Sequence, residues 1–418
     1  MEGKKMRLIA MVLIIIFLIV GLVFVENRNG DDPVAETPET DQPEEAPAAE
    51  EVEETPEPAD DDTVYQVKVM ASGDMLYHDL VYMSGYRPDT DDYDFHENYE
   101  YIKPLIQTAD LALGNFEGTI SPDFPLAGYP LFNAPPEVVP AIADAGYDAI
   151  TLAHNHILDS QLSGLISTAQ IFRDAGLDVF GVTTDGEDIL VKEVNGIKIA
   201  LLGYAYGFNG MEGNLTQEQY DAHMKDLNMD KMRAELERAE EIADVTIVMP
   251  QMGVEYALEP NQEQIDTYHQ MIEWGADVIY GNHPHVVQPT EIVQKDGYDK
   301  FILYSMGNLI SNQRLETLDN IWTERGTITE VNLTKTGDGP VIIESIVPHV
   351  TWVNRTPNGY YTLDGWELYH YQTYLTEDFI EGGKHADLVD DATRQRITQA
   401  YEEIHALLNL QPLNGLKE

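Results

Sequence analysis

Two histidines at the end of an apolar run are the residues of this sequence that most directly suggest chemistry. His283 and His285 follow the run 276–280, "ADVIY", which predicts a buried strand. Alternate side chains of an extended segment project to the same side, so both imidazoles would face one ligand across Pro284. A metal ion is the first interpretation. The alternative is an accidental pair of polar residues in a surface loop.

Other predicted strands also end in residues that bind metals. In an α/β sheet, ligands bind outside the carboxyl ends of the strands. A lone "GD" after a strand is a common turn and a lone histidine is often a core residue, but the ordered set favours a metal-centred site. Its remaining members are Asp74, Asn115, Glu117, His154, Asn155, His156, Asp159, Gln251, Glu255 and Asn308.

The composition limits both the metal and the partners. The chain has no cysteine, so the protein ligands would supply only nitrogen and oxygen, which suits Mn, Fe or Zn. The formal net charge is −50, and residues 64–418 still carry −37, from 57 acidic and 20 basic residues. Such a charge argues against nucleic acid as a partner, because phosphate binding needs an excess of Lys and Arg.

The N-terminal residues predict a membrane anchor and a tether. Leu8–Val25 contains no polar side chain and is long enough to span a bilayer, and Lys4, Lys5 and Arg7 favour the cytoplasmic side for its start. A cleaved signal peptide is the alternative. Residues 26–63 are acidic and rich in proline, which predicts a disordered linker. The sequence therefore predicts a single-pass cell-membrane protein with residues 64–418 as an extracytoplasmic domain.

Residues 64–418 predict an α/β domain. Apolar runs that end in polar loops alternate with amphipathic segments, which places helices outside sheets. Asn195-Gly196 lies between two apolar arms and predicts a hairpin. The segments "GTITEVNLTK" and "VIIESIVPHVTWV" predict a closing antiparallel pair, and "ATRQRITQAYEEIHALLN" predicts a C-terminal helix. The tyrosine-rich run 358–375 favours half-buried packing, and the alternative is an aromatic sugar- or polymer-binding face.

Six motifs resemble, in order, those of the CapA family of poly-γ-glutamate capsule biosynthesis proteins. They are "SGDMLYH", "LGNFEGTI", "TLAHNHILD", "MPQMGVEY", "YGNHPHVVQP" and "LYSMGNLI", and they span about residues 66–312. The family is related to the calcineurin-like metallophosphatase superfamily. The resemblance implies a two-sheet αββα sandwich, followed by a C-terminal extension.

The resemblance also implies roles for individual residues. Asp74, Glu117 (or Asn115), Asn155, His283 and His285 would bind metal, and His156 would act as general acid or base. Three departures from the family pattern favour one ion over two. Gln251 stands where the family has a histidine, His154 replaces an asparagine, and Leu76 lies where the superfamily has a further histidine. Glu255 and Asn308 are additional candidates for the site.

Two functions remain open at this stage. The first is an accessory protein of capsule polymer synthesis or export, which would contact polymer synthase subunits and an anionic polymer. The second is a metal-dependent phosphoesterase or hydrolase at the cell surface, with a phosphoester ligand. A structural cell-surface domain with a decayed site is a third interpretation.

Overall fold

The computed structural model describes residues 63–184, 186, 189–362 and 365–414. The predicted anchor lies outside these residues, as does the predicted linker except for Thr63. Within the described ranges, no helix combines the length and apolar character that crossing a bilayer requires. The strands are β1 (Val64–Met75), β2 (Tyr86–Arg87), β3 (Asp92–Tyr93), β4 (Leu111–Phe116), β5 (Ala149–Thr151), β6 (Asp178–Phe180), β7 (Leu190–Val194), β8 (Ile197–Ala205), β9 (Val245–Gln251), β10 (Val278–Tyr280), β11 (Thr290–Lys295), β12 (Tyr298–Leu303), β13 (Asn308–Ile310), β14 (Arg325–Thr336), β15 (Ile342–Tyr361) and β16 (Glu367–Leu375).

The α-helices of the described residues lie mostly between these strands. They are α1 (Asp79–Ser84), α2 (Lys103–Ile106), α3 (Val138–Ala145), α4 (Gln161–Asp174), α5 (Gln217–His223), α6 (Met229–Ile242), α7 (Gln262–Glu273), α8 (Leu315–Leu318), α9 (Thr376–Phe379) and α10 (Asp391–Leu408). Short 3-10 helices cover His96–Tyr99, Met211–Asn214, Ile321–Glu324 and Ala386–Leu388.

The strands form two main sheets. The first has the order β16-β15-β14-β1-β4-β5-β6, and β13 pairs with the end of β1. The second has the order β11-β12-β10-β9-β8-β7. Neighbours β1, β4, β5 and β6 are parallel, as are β8, β9, β10 and β12, so their carboxyl ends lie at one edge of each sheet.

Helices and sheets stack in four layers. Val69 and Leu113 of the first sheet pack with Ile199 and Ile247 of the second, and this cluster is the central core. The opposite face of the first sheet, including Met70, packs against α3 and α4, and that of the second packs against α6 and α7. A strand that is buried on both faces needs a continuous apolar run, which is what the sequence shows. The predicted αββα sandwich is confirmed.

Local signals in the sequence explain several element boundaries. The predicted hairpin is present, with φ of 48° at Asn195 and 82° at Gly196 between β7 and β8. Helix α3 ends at Gly146, a C-cap glycine with a φ of 104°. The predicted closing strands β14 and β15 pair antiparallel, and β16 extends them. Pro104 lies in the first turn of α2, the one part of a helix in which proline is tolerated.

At the sheet edge where Asp74 lies, the backbone of β1 is in close contact with the segment before β13. A Cβ atom at Gly73 would lie 1.9 Å from the carbonyl oxygen of Gly307, so only glycine fits beside Asp74. We expect Gly73→Ala to destabilise the fold by about 1–3 kcal/mol, because backbone atoms must move apart. Urea denaturation measures this effect. Gly213→Ala is the control, since a Cβ atom at Gly213 would have no neighbour within 4 Å, and an equal effect of both variants would contradict the expectation.

Candidate metal centre

Strand register brings the predicted site residues to one edge. Asp74 at the end of β1 lies beside Asn115 of β4 on one side and beside Asn308 of β13 on the other. In the second sheet, Gln251 at the end of β9 forms a bridge with Asn282, immediately before His283. Ends of parallel strands from both sheets therefore meet at one location, where ligands of α/β proteins bind.

Asp74 is fully buried and is surrounded by side chains of the predicted set. Its Oδ1 accepts a hydrogen bond of 2.7 Å from Asn115 Nδ2. Its Oδ2 lies 2.9 Å from His285 Nδ1, and this nitrogen is also 3.1 Å from Asn308 Oδ1. Asn308 donates to the carbonyl oxygens of His285 at 3.3 Å and Thr323 at 2.8 Å. The asparagine thus fixes both the backbone and the ring of His285.

His285 is common to two groups of potential ligands. Asp74, Glu117 and His285 each offer a ligand atom, and these atoms lie within 4.8 Å of one another. The same holds for Glu255, His283 and His285, of which only Glu255 is exposed. Five of the predicted site residues therefore lie close enough together to surround one divalent ion or two neighbouring ions.

The backbone of the two histidines differs from the extended segment that the sequence suggested. His283 has a φ of 97° and His285 a φ of 56°, in the left-handed region that costs side-chain-bearing residues energy. The segment is held by the hydrogen bond of 2.8 Å from Tyr256 N to the carbonyl oxygen of Pro284. This turn places both imidazoles in the same group of candidate metal ligands, with ring centroids 6.0 Å apart.

The loop after β5 contributes a histidine–carboxylate pair. His156 Nδ1 lies 2.7 Å from Asp159 Oδ2, and that oxygen also accepts a hydrogen bond of 2.7 Å from Phe132 N. The edge of one ring meets the face of the other between Phe132 and His156, with centroids 4.7 Å apart. The carboxylate and the aromatic ring together fix the orientation of this imidazole, which lines the cavity at the site.

Asn155 is fixed by neighbours that the sequence did not single out. Its Nδ2 donates to Asn209 Oδ1 at 3.2 Å and to Tyr206 Oη at 3.3 Å, while its buried Oδ1 has no hydrogen-bond partner among the described residues. Tyr206 also packs on the His283 ring at a centroid distance of 4.6 Å. Tyr206 and Asn209 come from the loop after β8, and no pattern in that loop marks them. Asp159, in contrast, belongs to the predicted set of polar residues at the strand ends, and the structure places it against His156.

Gln251 and His154 have structural contacts at the site. The Oε1 atom of Gln251 accepts a hydrogen bond of 2.7 Å from Asn155 N, which leaves the amide nitrogen, a donor that cannot bind a cation. His154 is fully buried, and its Nε2 is 3.5 Å from Gly118 N. In the described residues, His154 belongs to neither group of candidate metal ligands. Gln251 instead orients the backbone of Asn155.

Unpaired buried acceptors at this edge fit a bound cation. Buried polar atoms in folded proteins normally have partners, so a cluster without them needs an explanation. In the part of the chain that the structure describes, 21 buried side-chain atoms lack a hydrogen-bond partner, and ten of them belong to this site. They lie on Asp74, Asn115, Glu117 (both oxygens), His154, Asn155, Asp159, Gln251, Asn282 and His283. Most are oxygen acceptors or imidazole nitrogens, the donor set that a hard or borderline divalent ion prefers.

Comparison with known proteins identifies the family. Residues 68–313 match the model of the family described as "Bacterial capsule synthesis protein PGA_cap", which is more than half of the chain. The chain belongs to this family. The matched PGA_cap region contains every predicted site residue, from Asp74 to Asn308, and its limits agree closely with the predicted motif core of about 66–312.

Curated relatives carry names from the same process. The chain is 29% identical over 227 residues to "Capsule biosynthesis protein CapA" of Bacillus anthracis, which covers 51% of this chain and 54% of that protein. It is 26% identical over 261 residues to "PGA biosynthesis protein CapA" of Bacillus subtilis, with coverages of 60% and 65%. A "Probable polyglutamine synthesis accessory protein" of Mycobacterium tuberculosis is 25% identical over 235 residues, with coverages of 51% and 59%. The chain thus matches little more than half of each relative's length.

Solved structures show weaker similarity. A calcineurin-like phosphoesterase, YfkN of Bacillus subtilis, aligns with a TM-score of 0.42 at 14% identity, covering 82% of this chain and 98% of that one. The NAD nucleotidase of Haemophilus influenzae aligns with a TM-score of 0.41 at 10% identity, covering 84% and 58%. At these TM-scores the similarity bears on neither the activity nor the residue roles of the PGA_cap domain.

Burial and neighbouring charges shift the pKa values of the site residues in the PGA_cap domain in different directions. Burial raises the pKa of Glu117 to about 7, although His285 opposes the shift. Burial acts in the other direction on His285, but Glu117 and Asp74 outweigh it and raise its pKa to about 9. Burial lowers the pKa of His283 to about 3, with the His285 charge adding to the effect. His283 is therefore neutral near pH 7, which is the form in which an imidazole ligates a metal.

A cavity of about 410 Å³ opens onto the candidate ligands. Glu117, His156, Glu255 and His285 line it, so the carboxylates and imidazoles are accessible to a small ligand. The aromatic walls of the cavity are Tyr129, Phe132 and Tyr256. The segment after β13, which includes α8, lines the cavity with Asn312, Gln313, Thr317 and Leu318. Apolar walls with a few convergent polar groups are typical of ligand sites.

Proposed function

We propose that this protein is a membrane-anchored, extracytoplasmic component of the synthesis or export of an anionic capsule polymer of poly-γ-glutamate type. Its site would hold a divalent ion, Mn, Fe or Zn, through Asp74, Glu117, His283 and His285. The names of the relatives support the process. Leu8–Val25 would anchor the chain beside the subunits of a polymer synthase.

The observation that carries this proposal is the buried group of Asp74, Glu117 and His285, with ligand atoms within 4.8 Å of one another. Two carboxylates without enough partners are costly to bury, and a cation at this position would offset that cost. Asn155 Oδ1 and His283 Nδ1 are further unpaired atoms at the same edge of the described domain. The arrangement favours one ion over two, because the Gln251 oxygen is directed at the backbone of Asn155.

A cation would also resolve an electrostatic difficulty of the proposed role. The domain of residues 64–418 carries a net charge of −37 and should repel a polyanion. When bound, a divalent ion supplies a Lewis acid that binds a carboxylate or phosphate oxygen. Contact with the polymer would then be confined to the cavity, where Tyr129, Phe132 and Tyr256 exclude water around a chain end.

A metal-dependent phosphoesterase or hydrolase is the second candidate function. The contact of 2.7 Å between His156 Nδ1 and Asp159 Oδ2 favours it, because a carboxylate that orients a histidine is typical of general acid–base catalysis. His156 would hold a proton at Nε2 for a leaving group, and Asn155 would help to hold the ion through its unpaired Oδ1.

The hydrolase should turn over a phosphoester substrate, whereas the accessory protein should not. The full chain, purified in a mild detergent, is loaded with Mn, Fe or Zn, and the bound metal is measured together with hydrolysis of p-nitrophenyl phosphate. We expect about one ion per chain and no turnover above the level of His156→Ala. Turnover that His156→Ala lowers by about 100-fold or more would establish the hydrolase instead. A chain that retains no ion would contradict both functions.

A further inference from the structure

A groove of three adjoining cavities extends away from the candidate metal centre. The cavity at the centre shares His78, Tyr129 and Asn312 with a second cavity of about 450 Å³. The second shares Met83 and Thr362 with a third of about 330 Å³. Each has a volume in the range of about 300–1,000 Å³ that ligand sites occupy. A long ligand would therefore find one continuous path on this face.

Exposed aromatic side chains in the described residues are confined to this face. Tyr206 and Tyr256 contact the two histidines of the metal centre, and the others line the three cavities. Trp366 is 67% exposed and Tyr129 74%. Aromatic surface left in water at one location, rather than scattered, marks a binding site. The complete set is Tyr86, Tyr129, Tyr206, Tyr256, Tyr360, Tyr361 and Trp366.

The second and third cavities are nearly uncharged. Among the described residues that line them, Asp79 is the one carboxylate, and Lys and Arg are absent. Burial and the nearby His285 lower the pKa of His78 to about 3, so its imidazole is neutral. The residues that line these cavities offer a polyanion no positive charge, although Arg355 Nη1 lies 3.2 Å from Asn312 Oδ1, and the domain as a whole would repel it. Charge therefore favours a neutral ligand.

Hydrogen bonds order the backbone beside Trp366 and several polar groups around these cavities. Trp366 N donates to Thr362 Oγ1 at 3.0 Å, and Thr362 N donates to the carbonyl oxygen of Trp366 at 2.8 Å. Tyr86 Oη donates to Asp91 Oδ1 at 2.9 Å. Asn312 Oδ1 accepts from Tyr371 Oη at 2.7 Å and from Arg355 Nη1 at 3.2 Å, so protein donors fix the oxygen end of this amide. A preorganised site loses little entropy when it binds.

We propose that the groove lined by Tyr129, Trp366, Tyr361, Tyr360 and Tyr86 binds a neutral polysaccharide of pyranose units. The apolar C–H faces of sugar rings pack on flat aromatic surfaces, and their hydroxyl groups bond to the amides of Asn312 and Asn358 and to Thr362. Binding at this groove requires no metal ion. The protein would therefore contact a cell-surface glycan independently of the ligand at the metal centre.

Binding of defined oligosaccharides to the full chain in detergent tests this site. Hexamers of β-1,4-linked N-acetylglucosamine and of β-1,4-linked glucose are titrated by calorimetry, with a chelator present. Trp366 is the exposed tryptophan among the four of the chain, so binding should also shift its fluorescence to shorter wavelength. We expect Trp366→Ala and Tyr361→Ala each to weaken binding by about tenfold. Tyr298→Ala, at the distant hairpin between β11 and β12, should not.

Three results would overturn the proposed glycan site. One is the absence of binding by both hexamers at millimolar concentration. Another is binding of a γ-linked glutamate hexamer that depends on Trp366 and displaces the sugars. The third is loss of sugar binding when the chelator is added to the metal-loaded chain, because removal of the ion should leave sugar affinity at this groove unchanged.

Discussion

His285→Ala is expected to lower the affinity of the protein for a divalent ion by more than 100-fold. His285 belongs to both candidate ligand groups, with Asp74 and Glu117 in one and with His283 and Glu255 in the other. Loss of groups that merely support metal ligands costs about 10- to 100-fold in affinity, so loss of a shared ligand should cost more. The alanine also removes the imidazole nitrogen that lies 2.9 Å from Asp74 Oδ2.

Thermal unfolding with and without added metal measures this effect on the intact chain. A ligand that binds only the folded state raises the melting temperature in proportion to the logarithm of its concentration over Kd. The unsubstituted chain should show such a rise with Mn or Zn, whereas His285→Ala should show little. His269→Ala is the matched control, because this partly exposed histidine contacts Glu291 away from the site. Equal metal-induced shifts in all three proteins would contradict the assignment of His285.

Short-range sequence patterns predicted the strands and helices, and also the sheet edge at which the polar residues lie. Apolar runs such as Val245–Gln251 and Val278–Tyr280 identify buried strands, because hydrophobic patterning and burial are local properties. Polar residues directly after such runs must lie at the strand ends, and parallel pairing brings those ends together. Asp74 and Asn115 are neighbours in register for this reason.

Long-range contacts explain what the sequence could not predict. The positive φ angles of His283 and His285 follow from packing against Tyr256 and Asn308, which no local signal encodes. The role of Gln251 became visible only through its hydrogen bond to the backbone of Asn155, 96 residues earlier. Tyr206 supports the site from a loop whose sequence resembles any other turn.

The C-terminal helix shows the same limitation, and it leads to the second large prediction. The amphipathic pattern predicted α10, but its attachment depends on a buried carboxylate far away in the chain. Glu324 is fully buried and accepts hydrogen bonds from Arg396 of α10, at 2.5 Å from Nε, and from Trp352 Nε1, at 2.9 Å. Arg314 lies 3.7 Å from the same carboxylate.

Glu324→Gln is expected to destabilise the protein by about 1.5–3 kcal/mol, because the buried guanidinium of Arg314 and the partly buried one of Arg396 lose a charged partner and keep Glu316 as their remaining shared carboxylate. Glutamine keeps the shape of the side chain and an acceptor for Trp352, so the loss reports charge rather than volume. Urea denaturation measures it. Asp391→Asn is the control: its pair with Arg394 is on the surface, where ion pairs contribute about 0–1 kcal/mol.

The same substitution should reach the metal centre. Glu324 ends the 3-10 helix Ile321–Glu324, whose Thr323 carbonyl oxygen accepts the 2.8 Å hydrogen bond that helps to fix Asn308, the residue beside His285. Gln313 and Thr317, on the preceding segment, line the central cavity. We therefore expect Glu324→Gln to weaken metal binding as well as stability, whereas Asp391→Asn changes neither. Full metal affinity in a destabilised Glu324→Gln chain would show that α10 supports the fold but does not position the site.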